Sequence, residues 1–173
     1  VEGGSVEKVV GGLERKRYKM VCLLLLGHLE FKRNKPEQGI PYFVQASRLC
    51  PTAAAPLTFL ALSLLATQKF SEAQEVAERA MKYDEGVSGW VGGWIKGSVL
   101  AHNTQWALCL QQCEEEIKKN CQSYQVYTLA ARAAFALGDL EQADTHLSHS
   151  LVLNPTYPPS LTLSQKLKKK QGK

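Results

Sequence analysis

Long apolar runs are missing from this chain of 173 residues. The longest fully apolar run near its start, Val21 to Leu26, has six residues, whereas a helix needs about 20 to span a membrane. A basic region followed by an apolar stretch is also missing from the N-terminus, so no signal peptide is predicted. We therefore expect an intracellular protein, cytoplasmic or nuclear, without a membrane span. The first residue is Val1 rather than methionine, which suggests an excised fragment or a processed product.

Sustained alternation of apolar and polar residues is absent as well, so essentially no β-sheet is expected. The chain has no nucleophile elbow, P-loop, glycine-rich dinucleotide loop or metalloprotease helix. Because each of these motifs carries a particular catalytic or cofactor-binding chemistry, their absence argues against an enzyme. No cofactor and no small-molecule substrate are expected.

Close cysteine pairs of the zinc-finger type are also lacking. Cys109 and Cys113 lie one helical turn apart, and His102 and Cys121 are near them in sequence. A C-x3-C spacing within a helix, without a second close pair, suits zinc poorly. Free cysteine packs as a small apolar side chain, so core packing is the favoured interpretation and metal binding the alternative. Core positions are expected for Cys22, Cys50, Cys109 and Cys113, and a loop position for Cys121.

Charge is unevenly distributed along the chain. Residues 1–35 carry eight Lys or Arg and four Asp or Glu, residues 36–165 carry eight and twelve, and residues 166–173 carry five lysines. The net charges are therefore +4, −4 and +5, and the central body is mildly acidic. An acidic body disfavours a groove for nucleic acid, which binds mainly through its phosphates. The lysine tail is interpreted as a solvated helix end that partner binding does not need, with a nucleic-acid or anionic-membrane contact as the alternative.

A spacing rule recurs four times, at intervals of 34 to 36 residues. The small residues Gly27, Ala61, Gly97 and Ala131 are each followed twelve residues later by a second small residue. A fixed period of this length is typical of stacked helical repeats, which present a long curved surface to other molecules. We expect the alanines of the second set to be buried where paired helices touch. The second set consists of Gly39, Ala73, Cys109 and Ala143.

This pattern resembles the tetratricopeptide repeat, a helix–turn–helix unit of about 34 residues with the motifs Leu-Gly-x2-Tyr and Ala-x3-Phe and a closing proline. The first copy has Leu26-Gly27, Phe43 and Pro51, and the fourth closes on Pro155. The third copy is degenerate, because Glu116 stands where a small residue is usual. The copies span residues 20–53, 54–87, 90–123 and 124–157, after a flanking segment or cap at 1–19 and before a capping helix and basic tail at 158–173.

The resemblance implies an all-α fold, a right-handed solenoid of helical hairpins with a C-terminal capping helix. Turn-forming residues at Asn34-Lys35-Pro36, Thr67-Gln68-Lys69 and Gly138-Asp139 divide repeats into two helices. The predicted helices span about 21–33, 37–49, 55–66, 71–83, 89–102, 105–119, 124–137 and 140–152.

Terminal repeats need caps that hide their open faces. At the C-terminal end, Leu161, Leu163 and Leu167 are expected to pack a short capping helix. At the other end, residues 6–19 are a candidate cap, or a plug for the groove. Solvent-facing positions are expected for Glu114, Glu115, Glu116, His146 and His149.

In proteins of this family the first helix of each repeat lines the concave face, so the resemblance implies a groove along these helices. Its lining would be largely apolar and aromatic, which suits an amphipathic helix or an extended apolar segment of a partner protein. Family members that grip acidic C-terminal tails use an asparagine and several Lys or Arg in the groove. Here His28 replaces that asparagine and Arg132 is the one cation of the lining, so no such clamp is expected. The implied lining is Val21, Leu24, His28, Phe31, Thr58, Leu62, Leu65, Trp94, Ser98, His102, Thr128, Arg132 and Phe135.

The predicted function is therefore non-catalytic protein–protein recognition, as a scaffold or adaptor subunit of a multi-protein assembly. The alternatives are a chaperone that sequesters an apolar partner segment and a nucleic-acid-associated scaffold that uses the two basic ends. A further alternative is a groove filled by the protein's own flanking segment or by adjoining repeats. The salt dependence of partner binding distinguishes binding in an apolar groove from binding of nucleic acid. Phosphate binding falls steeply with salt concentration, and apolar binding does not.

Overall fold

A computed structural model describes residues 3–83, 89–170 and 172 of the chain. It divides into two compact units, Val1–Val87 and Ser88–Lys173. All regular elements among the described residues are α-helices and none of these residues is in a strand, which confirms the all-α prediction. The first unit contains α1 (Gly3–Lys32), α2 (Pro36–Leu49), α3 (Ala54–Ala66) and α4 (Phe70–Met81). The second contains α5 (Gly89–His102), α6 (Trp106–Lys118), α7 (Tyr124–Leu137), α8 (Leu140–Leu153) and α9 (Pro158–Lys170).

The helix ends lie close to the predicted ones, with one exception at the N-terminus. The sequence predicts a first helix from about residue 21, whereas α1 begins at Gly3 and runs without a break to Lys32. The glycines at 11 and 12 do not interrupt it, because the stretch that follows, Leu13–Lys19, consists mostly of strong helix formers. The predicted flanking segment is thus the first part of α1, and it does not fold back as a plug.

The four hairpin turns share one geometry. In each, a residue one or two positions after the first helix has a left-handed backbone: φ is 62° at Asn34, 62° at Gln68, 57° at Thr104 and 89° at Gly138. The next amide donates to the carbonyl five residues earlier over 2.9–3.0 Å, as in the Schellman motif. These left-handed residues are 34, 36 and 34 residues apart. The backbone therefore repeats with the period read from the side chains, including the longer second interval.

Thr104 is the least suitable of these turn residues, because a β-branched side chain crowds the left-handed conformation. We expect Thr104→Gly to raise the free energy of unfolding by about 0.5–1 kcal/mol, after subtracting the entropy that glycine adds to the unfolded chain. Gly138→Ala, the reverse change at the equivalent turn, should lower it by about 1 kcal/mol. Urea denaturation followed by tryptophan fluorescence measures both, since all three tryptophans lie in the second unit. A Thr104→Gly variant less stable than the wild type would contradict the argument.

The first two helices approach closely at two glycines. A β-carbon on Gly27 would lie 2.6 Å from the Phe43 ring, and one on Gly39 would lie 2.9 Å from the carbonyl oxygen of Gly27. Phe43 is fully buried and stacks on Phe59 of α3, with ring centroids 5.6 Å apart. The small residues that define the repeat therefore set the spacing of the helices here. Burial is confirmed for the two predicted alanines, Ala73 and Ala143.

The core of the second unit is built around thiols. Cys109 and Cys113 of α6 are 0% and 1% exposed, and they share a buried cluster with Val126 and Leu129 of α7. This confirms core positions for these two cysteines. The cluster is surrounded by the partly buried side chains of Trp90, Trp94, Leu100, Trp106, Leu110 and Ile117.

Glu116 is buried, which corrects its predicted solvent-facing position. Its exposure is 2%, and its Oε1 accepts hydrogen bonds from Lys119 Nζ at 2.9 Å and Gln112 Nε2 at 3.4 Å. The room comes from α5, where a β-carbon on Gly93 would collide with the Glu116 side chain. Glu116 is thus accommodated in the core because its neighbour on the facing helix has no side chain.

The pair Gly93 and Glu116 reverses a size relationship that the other repeats have. In the first two repeats a leucine stands at the position of Gly93 and an alanine at the position of Glu116. The third repeat therefore replaces a large–small pair by a small–large pair, which preserves side-chain volume approximately. This exchange explains why the copy looks degenerate in sequence and still packs. The equivalent pairs are Leu23 with Ala46 and Leu57 with Ala80.

The capping helix α9 closes the second unit. Leu163 and Leu167 are 7% and 2% exposed and share a buried cluster with Ala143 and Leu147. Leu161, the third predicted contact, is 43% exposed, because two residues of helix turn it about 200° away from Leu163. The lysine tail, predicted to be a dispensable solvated end, therefore includes a core residue at position 167.

A triangle of buried hydroxyl groups ties α9 to the last repeat. The side-chain oxygens of Thr128, Ser150 and Ser160 lie 2.7–2.9 Å from one another. The carbonyl oxygen of Tyr124 also accepts from Thr128 at 2.7 Å and from Ser150 at 3.0 Å. Every hydroxyl of the triangle has a partner, as buried polar groups require.

Candidate partner-binding groove

The candidate lining lies at three recurring positions of the first helices. In α1 these are Leu24, His28 and Phe31, whose spacing of four and three residues puts them on one helix face. The same positions recur 34, 70 and 104 residues later. The equivalents are Thr58, Leu62 and Leu65 in α3, Trp94, Ser98 and Ala101 in α5, and Thr128, Arg132 and Phe135 in α7.

In the first unit all six of these side chains are partly exposed, so a partner can contact them. The surface is stiffened by aromatic contacts underneath. The ring of His28 meets Phe59 edge-on, with centroids 5.6 Å apart and planes at 68°. Val21, also predicted for the lining, is 46% exposed and lies one helical turn before Leu24. The first unit thus presents a mainly apolar surface along α1 and α3.

Two predicted lining residues of the second unit need correction. Thr128 is 4% exposed and its hydroxyl belongs to the buried triangle, so a partner does not reach it. His102 is exposed but is one residue out of register, because the position equivalent to Phe31 belongs to Ala101, which is buried. Among the predicted residues that keep the register, Trp94, Ser98, Arg132 and Phe135 have accessible surface here.

The register continues into α9, which the sequence-based lining leaves out. Thr162 and Lys166 follow Thr128 and Arg132 at the same interval of 34 residues. Arg132 and Lys166 both line an open cleft of about 470 Å³. Adding one more repeat interval to the groove positions of the fourth copy would have located Thr162 and Lys166 from the sequence. The remaining lining of the cleft is Pro158, Pro159, Thr162 and Leu163.

The cleft is electropositive. The ion pairs within the described part of the chain are Arg33 with Glu30 and Lys119 with Glu116, so neither Arg132 nor Lys166 is neutralised in this way. A further cation, Lys170, places its Nζ 4.8 Å from the centre of the Phe135 ring and covers part of it. A carboxylate beside an apolar side chain is the chemical group that fits this combination.

Tyr157 interacts electrostatically with Arg132 of this cleft. Burial raises the pKa of its hydroxyl, neighbouring Tyr124 raises it further, and Arg132 opposes both effects. The rings of Tyr124 and Tyr157 pack edge to face, with centroids 4.7 Å apart. The phenol is therefore protonated at neutral pH, and the cleft keeps its positive charge.

No protein-family model matches the sequence, and no curated protein sequence matches it. Solved structures do. TTC0263, described as a thermophilic TPR protein of Thermus thermophilus, superposes with a TM-score of 0.76 at 17% identity, covering 88% of this chain and 83% of that one. PilW, a type IV pilus biogenesis factor, superposes with a TM-score of 0.75 at 16% identity, covering 98% of this chain and 80% of that one. YrrB, a TPR protein with an unusual peptide-binding site, superposes with a TM-score of 0.60 at 15% identity, covering 94% of this chain and 83% of that one.

The fold is the tetratricopeptide-repeat fold. Sequence identities this low do not show which residues of this chain occupy the positions of the repeat. The four turns and the recurring small residues do show this. In these terms α9 corresponds to the first helix of a further repeat, since its buried and groove positions keep the register of α7.

The tetratricopeptide-repeat positions also explain the cysteines. The Cys113 thiol is hydrogen-bonded to Cys109, and this bond, together with burial, raises the pKa of Cys113. The same hydrogen bond lowers the pKa of Cys109. Within the described ranges no group of three or more His, Cys, Asp or Glu is placed to hold a metal ion. Cys22 and Cys50 differ from the expected core positions, since Cys22 is exposed on α1 and Cys50 is only partly buried. Cys121 lies in a loop, as expected, and its side chain is buried.

The two histidines of α8 do not both face solvent. His149 is exposed and stacks on Tyr127 with centroids 5.4 Å apart, as a solvent-facing residue can. His146 is half-buried beside the same ring, and burial lowers its pKa. The prediction is thus wrong for His146, because the tyrosine of α7 covers it.

Among the described residues, none of the helices has the length and apolar character needed to cross a bilayer.

Proposed function

We propose that this protein is a non-catalytic protein–protein interaction scaffold or adaptor, a subunit of a multi-protein assembly. It binds a segment of a partner protein along the first helices of its repeats. The observation that carries this proposal is the set of partly exposed, mainly apolar side chains at recurring positions of these helices. The likeness to YrrB, which is described as having a peptide-binding site, supports peptide recognition by such a surface.

The partner segment is mainly apolar, helical or extended, and carries an acidic group. In the first unit Leu62 and Leu65 offer apolar contacts. In the second, Arg132 and Lys166 offer two cations to a carboxylate, and Phe135 offers an aromatic contact beside them. Aromatic and arginine side chains usually dominate interface energetics, so Arg132 and Phe135 are expected to contribute most in the second unit.

The proposal places the protein inside the cell, in the cytoplasm or nucleus. All five cysteines are free thiols, and free thiols persist where the compartment is reducing.

Affinity capture with the chain as bait tests the proposal, with captured proteins identified by mass spectrometry for wild type and variants side by side. Leu62→Glu introduces a charge among the apolar side chains of the first unit, and Arg132→Glu reverses the charge at the cleft. Each change is expected to weaken binding of one and the same partner by about 30-fold, the equivalent of about 2 kcal/mol. Testing them separately shows whether each unit contributes.

Lys118→Glu is the matched control, since it makes the same charge reversal at an exposed residue of α6. It should bind like the wild type, and circular dichroism should show that all three variants are folded. Wild-type affinity in both groove variants would refute the proposal. If those variants bind normally and capture instead falls steeply with salt, the basic ends carry the interaction.

A further inference from the structure

The imidazole of His146 in α8 has one ring nitrogen that solvent does not reach. This nitrogen, Nε2, is buried and has no hydrogen-bond partner among the described residues. The ring lies beside Tyr127 of α7, with centroids 6.3 Å apart and planes at 46°. His149, one helical turn further along α8, stacks on the same tyrosine. The packing of α8 on α7 therefore partly encloses an ionisable group and leaves its Nε2 unpartnered.

The carboxylate that acts electrostatically on His146 belongs to Glu114 of α6, and this carboxylate is already engaged. Its Oε1 accepts a hydrogen bond of 2.7 Å from Nε2 of Gln142, one helical turn before His146. Burial is the largest influence on the pKa of His146 and lowers it, while Glu114 raises this pKa and His149 lowers it further. The facing charges therefore do not compensate for the burial of the ring.

Protonation of His146 is unfavourable in this environment. Both nitrogens of a protonated imidazole are hydrogen-bond donors, and a buried donor without an acceptor costs free energy, more so on a charged group. The ring of Tyr127 gives little compensation, because a cation gains from an aromatic face within about 6 Å of its centroid. The centroid of the His146 ring lies just beyond that distance.

The sign of the effect on stability follows from the two states of the chain. In the unfolded chain the imidazole is solvated and takes up its proton near the ordinary pKa of 6.5. The folded chain binds the same proton less readily, because the pKa of His146 is lowered there. The stability of the second unit is therefore fully present above the unfolded pKa, and it falls as the pH drops through that value toward the folded pKa.

We propose that His146 makes the attachment of α8 to α7 sensitive to pH, so that mild acid loosens it. The proton places a positive charge at the contact with Tyr127, where Nε2 has no acceptor within the described part of the chain. The loosening extends to α9, because Leu147 of α8 shares a buried cluster with Leu163 of α9. Since α9 carries Lys166, the cleft beside Arg132 is disturbed over the same pH range.

Urea denaturation of the whole chain between about pH 7.5 and about pH 5, where histidine titrates, tests the proposal. Tryptophan fluorescence reports the second unit, which contains all three tryptophans. The test variant is His146→Gln, whose polar side chain does not titrate. His149→Gln is the matched control, because it makes the same change at an exposed residue of the same helix. Glu114→Gln removes the charge that raises the pKa of His146 and keeps an amide oxygen for Gln142.

We expect the urea midpoint of the wild type to fall on acidification, and His146→Gln to lose at least half of that fall. The fall should persist in His149→Gln and become larger in Glu114→Gln. An equal fall in His146→Gln and the wild type overturns the proposal. Titration of the wild type by nuclear magnetic resonance should give His146 a pKa below 6.5, and a value at or above 6.5 also overturns the proposal. This titration needs no variant, so it decides the outcome if His146→Gln does not fold.

Discussion

Gly93→Leu is expected to destabilise the second unit by about 1–3 kcal/mol, because leucine overlaps the buried side chain of Glu116. Glu116→Ala alone is expected to cost about 1–2 kcal/mol, since it leaves a gap beside Gly93. The double variant recreates the leucine–alanine pair of the first two repeats. It should therefore lie within about 1 kcal/mol of the wild type, or above it, because apolar replacements of buried ion pairs are often stabilising.

Urea denaturation of the four proteins, followed by tryptophan fluorescence, measures this cycle in the second unit. The two substitutions should be coupled by about 2 kcal/mol, within the range seen for residues in contact. Each single variant is a control for the other. If the two losses simply add, the size exchange between these positions is not what lets the third repeat pack.

Leu167→Ala is expected to lower the free energy of unfolding of the second unit by about 2–5 kcal/mol. The side chain is 2% exposed in the cluster formed with α8, so its removal loses burial and leaves a cavity. Leu161→Ala removes the same atoms from the same helix at a position 43% exposed, and should cost less than about 1 kcal/mol.

The same denaturation experiment compares the pair. Equal, small losses in both variants would show that α9 does not close the core of the second unit. The result also bears on the groove, because α9 carries Lys166 and Lys170. A loss of partner binding on truncation of the tail must therefore be compared with Leu167→Ala, which weakens the cap and keeps both lysines.

Much of the fold is predictable because, in a stacked repeat, residues that make equivalent contacts recur at a fixed interval in the sequence. Gly27 and Gly39 are small because the Phe43 ring and the Gly27 carbonyl oxygen lie against them. Buried alanines occupy the equivalent positions of the second and fourth hairpins. The turns recur in the same way, with left-handed residues at Asn34 and Gly138 at equivalent positions. Local signals of this kind need no knowledge of distant contacts, and they placed the ends of the hairpin helices to within a few residues, except for the start of α1.

The candidate groove is less predictable, because exposure depends on what packs above a helix face. Thr128 has the right position and residue type, but the hydroxyls of Ser150 and Ser160 bury it. Lys166 looks like one lysine of a solvated tail, although it lies beside Arg132 at the cleft. A sequence pattern predicts on which face of a helix a residue lies. Whether that face is exposed to solvent depends on the neighbouring helix.

By itself, the sequence determined the helical class, the hairpin period and the burial of small residues such as Ala73 and Ala143, since all of these follow from spacing along a single helix. Only the tertiary structure decided the burial of Glu116, the place of α9 in the register of the first helices, and the exposure of Leu25. Each of these depends on the facing helix: Gly93 leaves room for a carboxylate, α8 covers Leu163, and no described helix packs against Leu25 as α8 does against Leu163. Packing between helices depends on volumes and charges from distant parts of the chain, and a local pattern does not carry that information.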